Sequence, residues 1–159
     1  MVKWLLMVGL LFSLATESQA QVLPQALGVR LGGDGDTNGA EISYQRGLRG
    51  ENRLEFDVGL DSNRSQDRLS AAVLYHWVWH ITGGLNWYAG PGGMLSLISN
   101  DNGDDRSGIS VGGQVGLEFD FNTQGAPILL SLDTRPMWDL LGDGAEIGWG
   151  TALGVRYTW

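Results

Sequence analysis

From Pro24 onward the chain alternates large apolar side chains with small or polar ones, in short stretches parted by turn residues. A two-residue period fits a β-strand, whose successive side chains point to opposite faces, and it excludes a helix of useful length. In Ile147–Trp159 one face carries Ile147, Trp149, Thr151, Leu153, Val155, Tyr157 and Trp159. The other carries Gly148, Gly150, Ala152, Gly154, Arg156 and Thr158. The same division sets Leu54, Phe56, Val58 and Leu60 against Glu55, Asp57 and Gly59, and Ile128, Leu130 and Leu132 against Ser131, Asp133 and Arg135. One face is large and apolar; the other is small, polar or charged.

Eight strands follow from this pattern: Pro24–Gly32, Gly39–Arg46, Arg53–Asp61, Arg68–Trp79, Leu85–Leu97, Gly108–Phe121, Pro127–Trp138 and Ile147–Trp159. Breaker clusters separate them, among them Gly33-Asp34-Gly35-Asp36-Thr37-Asn38 and Asn100-Asp101-Asn102-Gly103-Asp104-Asp105. Pro91 lacks the N–H that a closed sheet uses, and the glycines around it predict a bulge or kink in the fifth strand.

Ahead of the strands, Met1-Val2-Lys3 is basic, Trp4–Ala15 is apolar, and Thr16–Ala20 is polar with small residues at Ser18 and Ala20. That is the layout of a secretory signal peptide over residues 1–20, cleaved before Gln21, with residues 21–159 as one exported domain. The apolar run is too short to span a bilayer comfortably as a helix. The 159 residues include no cysteine, which removes disulfides, thiol nucleophiles and zinc–thiolate sites. A net charge of −8 argues against a nucleic-acid partner, which wants a basic footprint. Mean hydropathy is close to zero, as a soluble protein's would be, yet it is the average of two opposite faces.

The interior of an eight-stranded barrel is just wide enough for side chains to fill. The apolar face, large and aromatic at most positions, would overpack it. The glycine-rich polar face fits, and its charges can pair there: Arg30, Arg135 and Arg156 among Glu41, Glu55, Asp57, Glu118, Asp120 and Asp133, with His76 to offset the acidic excess. The apolar face is then expected to meet lipid, which only a closed barrel of strands can do without stranding backbone groups. With the amino terminus periplasmic, Tyr44, Phe56, Tyr75, Trp77, Trp79, Trp87, Phe119, Phe121, Tyr157 and Trp159 fall toward one rim. Trp138 and Trp149 fall near the other, which predicts two aromatic girdles at headgroup depth. The expected fold is an all-β, antiparallel, up-and-down transmembrane barrel of eight strands. A soluble ligand-binding barrel is the alternative.

With its signal-peptide layout, its eight alternating strands and the ending Leu153-Gly154-Val155-Arg156-Tyr157-Thr158-Trp159, the chain resembles the small OmpA/OmpX-like barrels of the Gram-negative outer membrane. The resemblance implies that Val155, Tyr157 and Trp159 form the signal read by the barrel-assembly machinery, with Trp159 standing where Phe is usual. It implies a monomer among outer-membrane lipid and lipopolysaccharide, with no cofactor. It points to a structural or surface-interaction role; a narrow porin-like channel and a lipid A-modifying enzyme are the alternatives.

For that enzyme, His80-Ile81-Thr82 is the nearest echo of the deacylase's His-x-Ser pair, on the wrong face and with the wrong nucleophile. No catalytic residue is assigned. Asp34, Asp36 and Asn38 begin like a calcium loop, but the twelfth position is Gln45 rather than the closing Glu. Asn100, Asn102 and Asp104 offer a second oxygen-rich loop, and both loops also fit ordinary hairpin tips. Arg64, Arg68 and Arg106, in or beside outer loops, are candidates for lipopolysaccharide phosphates, opposed by neighbouring acids.

Overall fold

The structure, a computed structural model, describes residues 23–33, 38–62, 66–100, 103, 105–141 and 147–159. The signal-peptide stretch, Asp34, Asp36, Arg64, Asn102 and Asp104 lie outside them. The described strands are β1 (Gln25–Gly33), β2 (Asn38–Gly47), β3 (Asn52–Ser62), β4 (Gln66–Thr82), β5 (Leu85–Asn100), β6 (Asp105–Asp120), β7 (Ile128–Asp139) and β8 (Ile147–Thr158). Each pairs antiparallel with its neighbours in sequence, and β1 also pairs with β8, closing the barrel. Closure leaves no open sheet edge, so each strand has a partner on both sides.

All eight expected strands are present, and β4, β5 and β6 run further than the alternation suggests, past Arg68, Leu97 and Gly108. Phe121 leaves the sixth strand for a 3-10 turn over Phe121–Gln124, ended by Gly125 at φ 84°. The expected kink at Pro91 takes a milder form. The β4–β5 ladder skips Tyr75 and His76, opposite Pro91 and Gly90, then resumes in the same register. Gly90 permits the close approach there, since a Cβ on it would stand 1.7 Å from the Tyr75 carbonyl oxygen. The register does shift, between His80 and Thr82, beside the turn that Gly83 makes at φ 55°. A second skipped stretch lies between β6 and β7, where Pro136 of β7 has no N–H to give.

The two faces separate as the pleat dictates. Leu27, Val29, Leu31, Ile42, Val58, Leu60, Leu132, Leu153 and Val155 are exposed on the outside of the barrel. The buried set is mostly polar, including Arg30, Glu55, Asp57, His76, Glu118, Asp133, Arg135 and Arg156. The core of this molecule is therefore hydrophilic and its surface apolar, the reverse of a water-soluble barrel.

The inner face is not uniformly small and polar. Leu74, Val78, Tyr88, Leu129 and Met137 are also buried inside. Glycines make room for several of them. A Cβ on Gly92 would fall 2.7 Å from Leu74 Cγ, one on Gly116 2.6 Å from the Tyr88 hydroxyl, and one on Gly112 3.0 Å from Met137 Sδ. Large residues and glycines thus interlock on the inner wall, filling a lumen whose width the strand number fixes.

The seam between β1 and β8 depends on a similar absence. A Cβ on Gly28 would lie 1.9 Å from the Val155 carbonyl oxygen and 2.5 Å from Arg156 Cα, both rigid backbone atoms. Gly28→Val is therefore expected to force the seam apart and lower stability by about 1–3 kcal/mol. A drop in the urea midpoint of the folded barrel measures this, and an unchanged midpoint would contradict the tight seam.

Candidate functional site: the charged lumen

The polar side chains inside the barrel come from all eight strands and meet in two connected clusters. The register sets up the first. Arg30 on β1 lies directly across from Glu41 on β2, and Glu41 in turn lies across from Gly59 on β3. A Cβ on Gly59 would come within 2.5 Å of Glu41 Cγ, so that glycine leaves the Glu41 side chain its path. Arg30 pairs with Glu41 and with Asp133, and its Nη1 is 3.7 Å from Asp57. Arg135 on β7 pairs with Asp57 and stands 3.4 Å from both Glu41 and Glu55. Two guanidiniums thus share four carboxylates across the width of the lumen.

Glu55 is the hub of this cluster. It is fully buried and accepts from Gln45, from Gln114 at 3.3 Å, from Arg135 at 3.4 Å and from Arg156 at 3.0 Å. Arg156 on β8 uses its remaining donors on Ser43 (3.0 Å) and Ser131 (2.8 Å). Its guanidinium occupies space freed by Gly154, where a Cβ would sit 2.7 Å from Arg156 Nη1. A buried arginine is tolerable only when its fork is answered in this way.

The second cluster lies nearer the chain termini. Arg53 pairs with Glu118 at 2.7 Å, donates to His76 Nδ1 at 3.2 Å, and stands over the Tyr88 ring at 4.6 Å. Tyr88 donates to Asp133 at 3.0 Å, and His76 Nε2 meets Gln114 Oε1 at 3.3 Å, so the two clusters are joined. Asn86 links Glu118 to the half-buried His80.

Most of the expected lumen set is brought together: Arg30, Glu41, Glu55, Asp57, His76, Glu118, Asp133, Arg135 and Arg156. Asp120 is not part of it. It has the inner parity but stands at the end of β6, where its carboxylate accepts from the N–H and side-chain amide of Asn122 and caps the 3-10 turn. Arg53 was missed, although it shares a face with Glu55 and Asp57 two and four residues on. With Arg53 in and Asp120 out, the two clusters hold five carboxylates and four arginines among the described residues, a much closer balance than six against three. Tyr88, Gln45, Gln114, Ser43 and Ser131 complete the network. Alternation places each of them inside, but only the register shows which charge each one serves.

Of the predicted outward aromatics, Phe56, Trp77, Trp138, Trp149, Tyr157 and Trp159 are exposed, while Tyr44, Tyr75, Trp79, Trp87, Phe119 and Phe121 are partly covered. Neighbouring rings pack together: Trp79 on Trp87 at 4.2 Å, Phe119 on Phe121 at 4.7 Å and Tyr157 on Trp159 at 6.0 Å between centroids. Val155 is on the outer face beside them. Asn38 opens β2, opposite Gly33 and Ser62. His76 and His80 face Arg53, Gln114 and Asn86 rather than a hydroxyl, so neither forms a nucleophile–base pair among the described residues.

This arrangement fills the lumen with charges that share partners. Glu55→Leu deprives buried Arg156 of its countercharge and is expected to cost about 3–5 kcal/mol in unfolding free energy. Adding Arg156→Met removes the stranded cation and is expected to restore more than half of that loss. Urea unfolding of the two single variants and the double one gives the coupling directly; additive losses would count against the hub.

No family model matches the chain, and no curated protein matches it in sequence. Solved structures do match in shape. Neisserial surface protein A (NspA) aligns at TM-score 0.63 and 15% identity, over 85% of this chain and 94% of that one. The N-terminal β-barrel domain of Pseudomonas aeruginosa OprF aligns at TM-score 0.63 and 17% identity, over 84% and 97%. Ail, the attachment invasion locus protein of Yersinia pestis, aligns at 0.53 and 16%, over 85% and 96%. At these identities the likeness is one of fold, and the fold is that of the small eight-stranded outer-membrane barrels.

Proposed function

We propose that the protein is a structural and surface-interaction barrel of the bacterial outer membrane, with a lumen closed by its own side chains. One observation carries this reading: the apolar side chains face outward in a closed belt while the charges are paired inside. Water would penalise such a surface, whereas hydrocarbon requires it. The strands, nine residues in β1 and up to 17 in β4, are long enough for a tilted transmembrane strand. The likeness in fold to Neisserial surface protein A supports the same location.

In this reading residues 1–20 are an export signal removed before Gln21. Val155, Tyr157 and Trp159 engage the assembly machinery from the outer face. The paired aromatics near the chain termini sit at the periplasmic interface, with Trp138 and Trp149 at the outer one. The connectors at the outer end contact the surroundings. Arg106 is available there to lipopolysaccharide phosphates, whereas Arg68 is held by Asp61 at 3.1 Å. A monomer is consistent with closure, which leaves no strand edge to pair. The density of ion pairs across the lumen supports a plug over a pore.

Two measurements test this. Fractionation should recover the protein in the outer membrane, with a band that shifts on heating in a gel; recovery from the periplasm without detergent would refute it. In planar bilayers the purified barrel should show no discrete conductance steps, and steps abolished by Asp133→Ala would favour a channel. The lipid-facing belt has its own signature. Leu132→Arg, at a position 55% exposed, should cost about 2–4 kcal/mol in lipid vesicles, where a soluble barrel would lose almost nothing.

A further inference from the structure

At the end opposite the chain termini the lumen opens into a vestibule of about 900 Å³, floored by Arg30, Glu41 and Arg135. That volume is in the range of small-molecule sites, which are often found in the mouths of barrels. Two features distinguish this cavity from leftover space.

The first is its wall on β8. Gly148 and Gly150 line the cavity, and neither has a positive φ. A Cβ on Gly150 would meet nothing within 4 Å, and one on Gly148 only the Met137 carbonyl oxygen at 3.9 Å. Gly28, Gly90 and Gly112 must be glycine because backbone lies against them; these two need not be. Glycine weakens a strand and, where the fold itself does not demand it, marks a place where something else approaches closely. Ser96 and Ser110 also line the cavity, so its walls mix backbone and hydroxyl groups with apolar surface from Met94, Ile98, Met137 and Trp149.

The second feature is charge. In a chain of net charge −8, the described residues lining the vestibule carry four arginines (30, 68, 106 and 135) against Glu41, Asp61 and Asp139. Arg30 and Arg135 are committed to the carboxylates below, and Arg68 is paired with Asp61. Arg106 has no ion pair or hydrogen bond among the described residues. Arg68 on β4 and Arg106 on β6 both register with Ile98 on β5, which puts their backbones about 10 Å apart, two strand spacings. Arg106 can reach an anion in the vestibule with its guanidinium fork, whose geometry suits phosphate.

We propose that the vestibule binds a small polyhydroxylated anion with the chemistry of a sugar phosphate. The anionic group lies on Arg106, and the hydroxylated body rests against Gly150, with Ser96, Ser110 and Glu41 as hydrogen-bond partners. The inference goes beyond the membrane reading, and it is assayed on the folded barrel in detergent, where it can fail while that reading stands.

The assay is calorimetric titration of the purified barrel with glucose 6-phosphate, with glucose and inorganic phosphate as separate probes. The expected result is saturable 1:1 binding of glucose 6-phosphate, at least about tenfold tighter than either probe alone. Arg106→Gln should weaken it about tenfold by removing a charge-assisted contact. Gly150→Val should weaken it at least as much while keeping the heat-shifted band and a melting temperature no lower than the parent's, because the added side chain enters empty space and favours the strand. Absence of saturable binding would overturn the proposal. So would equal binding of glucose or phosphate alone, or full binding by Gly150→Val. Competition by lipopolysaccharide micelles would identify a lipid-borne sugar phosphate, and undisturbed binding a free one; both belong to the proposed chemistry.

Discussion

Eight strands closed on themselves fix the width of the interior, and the rest of the molecule is a response to that fixed width. There is space for one layer of side chains from each wall and little more. The inner face therefore cannot be uniformly large. It is built from opposites: Arg156 beside Gly154, Tyr88 beside Gly116, Leu74 beside Gly92, Glu41 beside Gly59. Each glycine is defined by the side chain that fills the space it leaves.

The same width explains why the charges form a network rather than separate pairs. A lone pair in so narrow a lumen would leave donors and acceptors unanswered, at the cost of a buried polar group. Arginine supplies five donors in a planar fork, so one residue can serve several carboxylates. Arg135 does so across β2 and β3, and Glu55 answers from the acceptor side. Serines and glutamines take up some of the donors and acceptors that the charges leave free, while Arg53 Nη2, Asp57 Oδ1 and Arg135 Nε keep no hydrogen-bond partner among the described residues. The result is a core held by electrostatics, with apolar residues such as Leu74 and Leu129 as minor fillers.

The sequence is informative about this fold because the pleat copies itself into the residue order. Ile147–Trp159 can be assigned face by face without any coordinates, and every strand was legible. What alternation could not convey is the neighbour across the sheet. Arg53 carried the right parity, but its pairing with Glu118 on β6 depends on three intervening ladders. Asp120 carried the same kind of signal and turned away, since at a strand end the nearest unsatisfied N–H competes for the carboxylate. Tyr88 carries inner parity too, but the room it takes inside is granted by Gly116, on another strand. Pro91 was expected to bend β5, but closure holds the register on either side of it.

The seam between β1 and β8 has a consequence in time as well as in space. It joins Ala26 to Thr158 and Gly33 to Thr151, and the backbone of Trp159 reaches Gln25 at 3.2 Å. Every other ladder links strands that are neighbours along the chain and can form locally. This one spans nearly the whole domain and must await the eighth strand, so it carries the largest loop-closure entropy of the eight. Until it forms, the sheet has two unpaired edges, each open to strand addition from any other chain. The narrow gap at Gly28 is thus the point at which an aggregation-prone ribbon becomes a sealed cylinder.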